Sequence, residues 1–149
     1  MKKIIAALML IGCGGSDLPT TRCGLFVYGQ TLRAAQIVED TVERAFQHSS
    51  DPRLHSVCRA SSGWTVVAEE TVRAPIGADG ISPGQAIGGY SSNRTHEIHT
   101  KLDLSTLPHE LAHVAQGCDD LSVQHANWTT DVLPVLDLVG SGVCAEECP

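Results

Sequence analysis

The chain contains 149 residues and carries a formal net charge of -7. This length fits one domain, and a hydrophobic share of 42% against 18% charged residues excludes a chain that is disordered throughout. The acidic balance, without a cluster of lysines and arginines, excludes nucleic-acid binding by the folded part and leaves peptides or other proteins as the expected partners. The composition leaves the oligomeric state open.

The first residues have the order of an export signal, with Lys2 and Lys3 before an apolar stretch, residues 4–11, and the small residue Gly12. This stretch is much shorter than the roughly 20 residues that a membrane-spanning helix needs. Residues 10–13 resemble a bacterial lipobox, which implies cleavage before Cys13 and lipid on its sulfur. We therefore expect a signal peptide over residues 1–12, a flexible tether over 13–22 and a domain over 23–149. The alternative, an ordinary signal peptide cut nearby, implies export without the anchor.

This resemblance places the chain in the bacterial cell envelope, lipid-anchored on the outer membrane or the periplasmic face. An exported chain meets an oxidising compartment, in which cysteines pair. Five cysteines follow Cys13, so one thiol is left over when two disulfides form. We expect Cys23 to pair with Cys58, and Cys118 to pair with Cys144 or Cys148.

The domain begins with an amphipathic helix over residues 31–47, where apolar residues recur every three to four positions. Turn-forming residues 49–52 end it. Residues 64–68 predict a strand that Thr71 and Val72 extend, and residues 74–89 predict a long surface loop rich in Gly and Pro. Residues 86–90 and 95–102 predict extended segments, the second with one polar face. Residues 132–139 predict a further short helix or strand.

A second helix follows residue 102, with Asp103, Ser105 and Thr106 as candidate N-caps and Pro108 in the first turn. Gly117 is placed to end this helix in the left-handed conformation. Between these signals lies the sequence His-Glu-Leu-Ala-His, residues 109–113.

The spacing of His109 and His113 predicts a zinc site, because residues i and i+4 lie one above the other on a helix and both imidazoles can reach one ion. Glu110 is offset around the helix and is expected to face the open side of the ion. There it can take a proton from a water whose pKa the zinc lowers. The pattern therefore predicts peptide-bond hydrolysis with Glu110 as general base.

Residues 95–128 resemble the zincin superfamily of metallopeptidases. The resemblance implies an α+β fold in which an N-terminal helix packs on a small mixed sheet and the active-site helix lies below an edge strand. It also implies a third protein ligand for the zinc, since catalytic zinc sites keep three ligands and one open position.

Three residues are candidates for this ligand. His125 lies on a polar loop after the helix and, with Trp128, resembles the continuation in small zincin-like lipoproteins. Asp119 stands where metzincins place their third ligand, although Gln116 stands where these proteins have glycine. Asp131 is the best of the later acids for the downstream ligand of gluzincins. Cys118 is expected in a disulfide rather than on the metal.

Tyr90, His96 and His99 are candidate contacts to the substrate or the oxyanion, because the strand before the helix lines the substrate cleft in zincins. A solvated strand face is the alternative for the two histidines, and a packing role is the alternative for Tyr90. Two other functions also remain open at this stage. One is a non-catalytic zinc-binding module of the envelope, and the other is a disulfide-stapled lipoprotein without metal.

Overall fold

The computed structural model describes residues 19–78 and 81–117. The signal peptide and Cys13, the bridge predicted for Cys118, and the element predicted over residues 132–139 lie outside the described residues. No helix in the two described ranges combines the length and the apolar character needed to cross a bilayer.

The described residues form an α+β fold. The elements follow one another as β1 (Phe26–Tyr28), α1 (Leu32–Phe46), α2 (Val57–Ser61), β2 (Thr65–Glu69), β3 (Val72–Arg73), β4 (Ala86–Ile87), β5 (Gly89–Ser92), β6 (Glu97–Lys101) and α3 (Leu107–Gln116). A 3₁₀ turn, Leu54–Ser56, leads into α2.

The main sheet has four strands in the order β1-β2-β6-β5. The first three strands run parallel, and β5 pairs antiparallel with β6 at the edge. A second, two-stranded sheet joins β3 to β4 antiparallel. The predicted α+β class with a mixed sheet is therefore confirmed.

One face of the main sheet carries the core. Along β2 and β6 the residues alternate between buried and half-exposed, because successive strand side chains point to opposite faces. Val66 and Ile98 on the buried face belong to one apolar cluster with Phe46 of α1 and with Leu107 and Leu111 of α3. The helices therefore lie together on one side of the sheet.

The structure confirms the predicted first helix with bounds one residue shorter at each end. The hydroxyl of Thr31 accepts a hydrogen bond from the amide of Ala34, which satisfies one of the unpaired donors at the helix start. Ala35, Val42 and Phe46 are fully buried on the inner face. Leu32, the first residue of the helix, is 38% exposed.

The prediction that Val72 extends the strand over 64–68 is wrong. The chain bends after β2, and Val72 begins β3, where it pairs with Ile87. The predicted loop over 74–89 consequently contains β4, and the segment predicted as extended over 86–90 divides at Gly88 into β4 and β5. β1 and α2 were not predicted, because their lengths of 3 and 5 residues are too short for a periodic pattern.

A buried carboxylate and a disulfide fasten the start of the described chain. Glu39, 3% exposed, accepts hydrogen bonds from the amide of Cys23 at 3.0 Å and from the hydroxyl of Thr21. Cys23 forms a disulfide with Cys58, the pair expected from the sequence, with 4.9 Å between the Cα atoms. The bridge ties the segment before β1 to α2.

Replacing both Cys23 and Cys58 by serine is expected to lower the free energy of unfolding by roughly 3 to 4 kcal/mol, because the bridge closes a loop of 35 residues in the unfolded chain. Urea unfolding of the variant and the parent, both without reductant, measures this loss. Unfolding of the variant with reductant is the control for the other cysteines. Equal midpoints and slopes for parent and variant would contradict the prediction.

The C-terminal end of α3 is held by Asp51. Its carboxylate accepts from the guanidinium of Arg53 at 2.7 Å and from the side-chain amide of Gln116 at 2.9 Å. These bonds, with that of Arg53 the strongest influence, lower the pKa of Asp51 from 3.8 to about 2. Gly117 then ends the helix with a φ of 69°, in the left-handed conformation expected from the sequence.

The contribution of ionised Asp51 to the free energy of unfolding is expected to be fully present above about pH 4 and to be lost as the pH falls towards 2. The reason is that the carboxyl group of Asp51 binds a proton less tightly in the folded chain than in the unfolded chain. Asp51→Asn is expected to remove about 1 kcal/mol at pH 7, since Arg53 is exposed and solvent screens the pair. Thermal unfolding from pH 2 to 7 measures both effects, with the exposed Glu70→Gln as control. A D51N variant that matches the parent at every pH would contradict this assignment.

Candidate metal centre

Helix α3 carries the predicted metal ligands and packs against β5 and β6. Leu107 and Leu111 face the apolar core, and Pro108 lies in the first turn as expected. His109, Glu110 and His113 extend from other sides of the same helix. Glu110 and His113 are buried, with 2% and 0% of their surface exposed, and His109 is half-buried.

The two histidines meet through their Nε2 atoms, which lie 3.2 Å apart. The ring centres are 4.9 Å apart and the ring planes are inclined by 65°. Two nitrogens that bind one tetrahedral zinc ion at about 2.0 to 2.1 Å are separated by about 3.3 to 3.4 Å. The donor pair thus fits a zinc ion with a change of only about 0.2 Å.

The carboxylate of Glu110 lies against the edge strand β5. A methyl group added at Gly89 would come within 2.9 Å of its Oε1 atom. The amide of Glu110 donates to the carbonyl oxygen of Thr106 at 3.2 Å, in the first turn of the helix. The carboxylate of Glu110 is therefore buried where α3 meets β5.

Tyr90 and His99 lie together on the opposite face of the sheet from α3. They are direct partners in the pairing of β5 with β6, and their rings stack with centres 4.3 Å apart. The imidazole Nδ1 of His99 lies 2.7 Å from Oε1 of Glu69. Burial, and then the negative charges of Glu69 and Glu97, raise the pKa of Tyr90. The structure does not bring this pair to the side chains of α3.

His96 lies at the far end of β6. It is exposed, has a φ of 54° in the turn before the strand, and packs against Trp64 with ring centres 5.2 Å apart. Glu110 approaches Gly89, which pairs with Thr100 of β6. Thr100 lies four residues after His96 in the chain. Four strand residues span roughly 13 Å, so His96 is distant from Glu110.

The three candidates for the third zinc ligand, His125, Asp119 and Asp131, lie outside the described residues. Within the described residues, ligand atoms of Cys23, Glu43 and Cys58 lie within 4.8 Å of one another. The disulfide joins these two sulfurs, so neither is a thiolate, the form that binds metals. We assign this group to the disulfide rather than to a metal.

Gly89, which lies beside the carboxylate of Glu110, and the threonines Thr100 and Thr106, which connect α3 to the strands, were not predicted as parts of the site. A signal was present in the glycine pair 88–89, which lies within the extended segment predicted over residues 86–90, since glycine inside a strand often indicates a close approach of the backbone to another group. The two threonines carry no comparable signal, because threonine is common both in strands and at helix starts.

Comparison with known proteins found no matching family model, no matching curated protein and no matching solved structure. The interpretation of this site therefore depends on its own geometry and on the sequence pattern.

Proposed function

We propose that this protein is a zinc-dependent metallopeptidase of zincin type, with His109 and His113 as zinc ligands and Glu110 as the general base. The observation that carries the proposal is the 3.2 Å separation of the two Nε2 atoms, which suits joint binding of one ion. The proposed third ligand is His125, with Asp119 and Asp131 as alternatives.

The surroundings of the helix also support a zincin-type site. An antiparallel edge strand, β5, packs against α3, as the resemblance implies. The burial of His113 and Glu110 excludes bulk water from part of the site, which strengthens electrostatic interactions there. In keeping with the lipobox, we further propose that lipid on Cys13 anchors the enzyme to the cell envelope, where it acts on peptides or proteins.

When bound, zinc supplies a Lewis acid that lowers the pKa of a water and polarises a carbonyl oxygen. His109 and His113 would hold the ion through their Nε2 atoms, which lie 3.2 Å apart. Glu110 accepts the proton of the attacking water on its carboxylate and delivers it to the nitrogen of the departing amine. Tyr90 and His99 face the other side of the sheet, so we assign them no part in these steps.

The same Nε2 separation also suits a direct hydrogen bond between one protonated and one unprotonated imidazole nitrogen. A helix that uses its histidines in this way belongs to a module without metal. Metal analysis separates the two interpretations.

The purified chain is expected to bind one zinc ion. His109→Ala and His113→Ala are each expected to weaken zinc binding by more than about 100-fold, since loss of a ligand exceeds the loss caused by removing its supporting contacts. His125→Ala is expected to do the same, with Asp119→Ala and Asp131→Ala as comparisons. Competition with a chromogenic chelator measures the affinity, circular dichroism verifies folding, and the exposed His48→Ala is the matched control. A folded parent that takes up no zinc would exclude the site.

Glu110→Gln is expected to keep the zinc and to lose peptide cleavage by roughly 10²- to 10⁴-fold, because glutamine cannot accept the proton. Cleavage of a mixed peptide library, followed by mass spectrometry, measures turnover. Glu70→Gln, an exposed change of the same chemistry, is the control. Equal cleavage by the E110Q variant and the parent would exclude Glu110 as the base, and a zinc-loaded parent without cleavage would favour the non-catalytic module.

A further inference from the structure

Thr106 occupies the N-cap position of α3 without capping it. Among the described residues its side chain makes no capping bond to an amide of the first turn. A hydroxyl at this position usually stabilises a helix through such a bond. Its hydroxyl has other partners, the carbonyl oxygen of Gly88 and the hydroxyl of Thr100, each at 2.8 Å.

The direction of these bonds follows from the number of protons. The carbonyl oxygen of Gly88 can only accept, so Thr106 donates its single hydroxyl proton to that oxygen. The bond between the two threonines must then run from Thr100, as donor, to Thr106. Thr100 is fully buried on β6, and Gly88 directly precedes β5. One hydroxyl therefore connects the start of α3 to both strands.

Gly89 matters because it lacks a side chain and so leaves space beside Glu110, not because of an unusual backbone conformation. It is not among the glycines with a positive φ, so its backbone conformation is open to other residues. A methyl group at this position would lie 2.7 Å from the carbonyl oxygen of His99, 2.9 Å from Oε1 of Glu110 and 3.1 Å from the hydroxyl of Thr106. Contacts this short require displacement of the strand, the carboxylate or the threonine.

Thr106 and Glu110 lie one turn apart, and the carbonyl oxygen of Thr106 accepts the amide of Glu110. The contacts that hold Thr106 against β5 therefore contribute to the position of Glu110 relative to Gly89. We propose that Thr106 and Gly89 are positioning residues for Glu110: the hydroxyl fastens the first turn to the strands, and the absent side chain leaves room for the carboxylate. The effect of this positioning on catalysis rests on the proposed function of Glu110 as general base.

The test compares the full chain with Thr106→Val, which keeps the shape of the side chain and removes the hydroxyl, and with Thr106→Ser, which keeps the hydroxyl. In zinc-loaded T106V, kcat is expected to fall roughly 10- to 100-fold with KM and zinc content unchanged, since small displacements of a catalytic group have effects of this size. T106S is expected to restore kcat. Thr71→Val, an exposed threonine in a bend, is the matched control.

A second measurement is independent of turnover. With glutamate labelled by ¹³C at the carboxyl carbon, the Glu110 resonance is assigned by its loss in Glu110→Gln. We expect it to shift or broaden in T106V and in Gly89→Ala, and to return to the parent position in T106S.

An unchanged resonance in folded T106V would overturn the positioning role, as would an unchanged kcat in an active enzyme. Equal loss of zinc and activity in T106V would indicate a general structural role and would also overturn it. A zinc-loaded parent that cleaves no peptide contradicts only the proposed function, because the Glu110 resonance still decides the positioning of the carboxylate.

Discussion

The packing of α3 against β5 and β6 positions the described part of the candidate site. Leu107 and Leu111 bury the inner side of the helix in the common core, and this contact sets the depth of the helix below the sheet. Glu110, on the next side of the helix, then meets the edge strand β5. Gly89 of that strand leaves space for the carboxylate because it has no side chain. The two imidazoles lie on the remaining sides and meet each other. A position fixed by apolar packing thus defines the place of each polar group.

Much of this arrangement could be predicted where a local pattern was long enough. The 15 residues of α1 show the spacing of an amphipathic helix, and Pro108 and Gly117 mark the two ends of α3. Such features depend on neighbours in the sequence, so the sequence alone can specify them. The same holds for the alternation of buried and half-exposed residues along β6.

Contacts between distant segments could not be predicted in this way. β1 is three residues long and pairs with a strand almost forty positions later, and Val72 finds its partner Ile87 across a loop. The alternation on β6 also indicated a polar face without showing on which side the helix would pack. Whether Tyr90 and His99 lie on the same side of the sheet as α3 depends on which face the helix covers. The small residues Ser91 and Thr100, not the larger polar ones, lie on the side of the helices.

The contrast between Gly89 and Tyr90 has a consequence for the folding of the edge strand. β5 has only four residues, and a slip of one position would exchange its two faces. A slip that set Tyr90 opposite Thr100 would direct its phenol ring into the space beside Gly89, which is too small even for a methyl group. Steric exclusion of this shifted pairing thus supplements the few hydrogen bonds that a strand of this length can form, and the glycine beside the carboxylate favours the observed register over it.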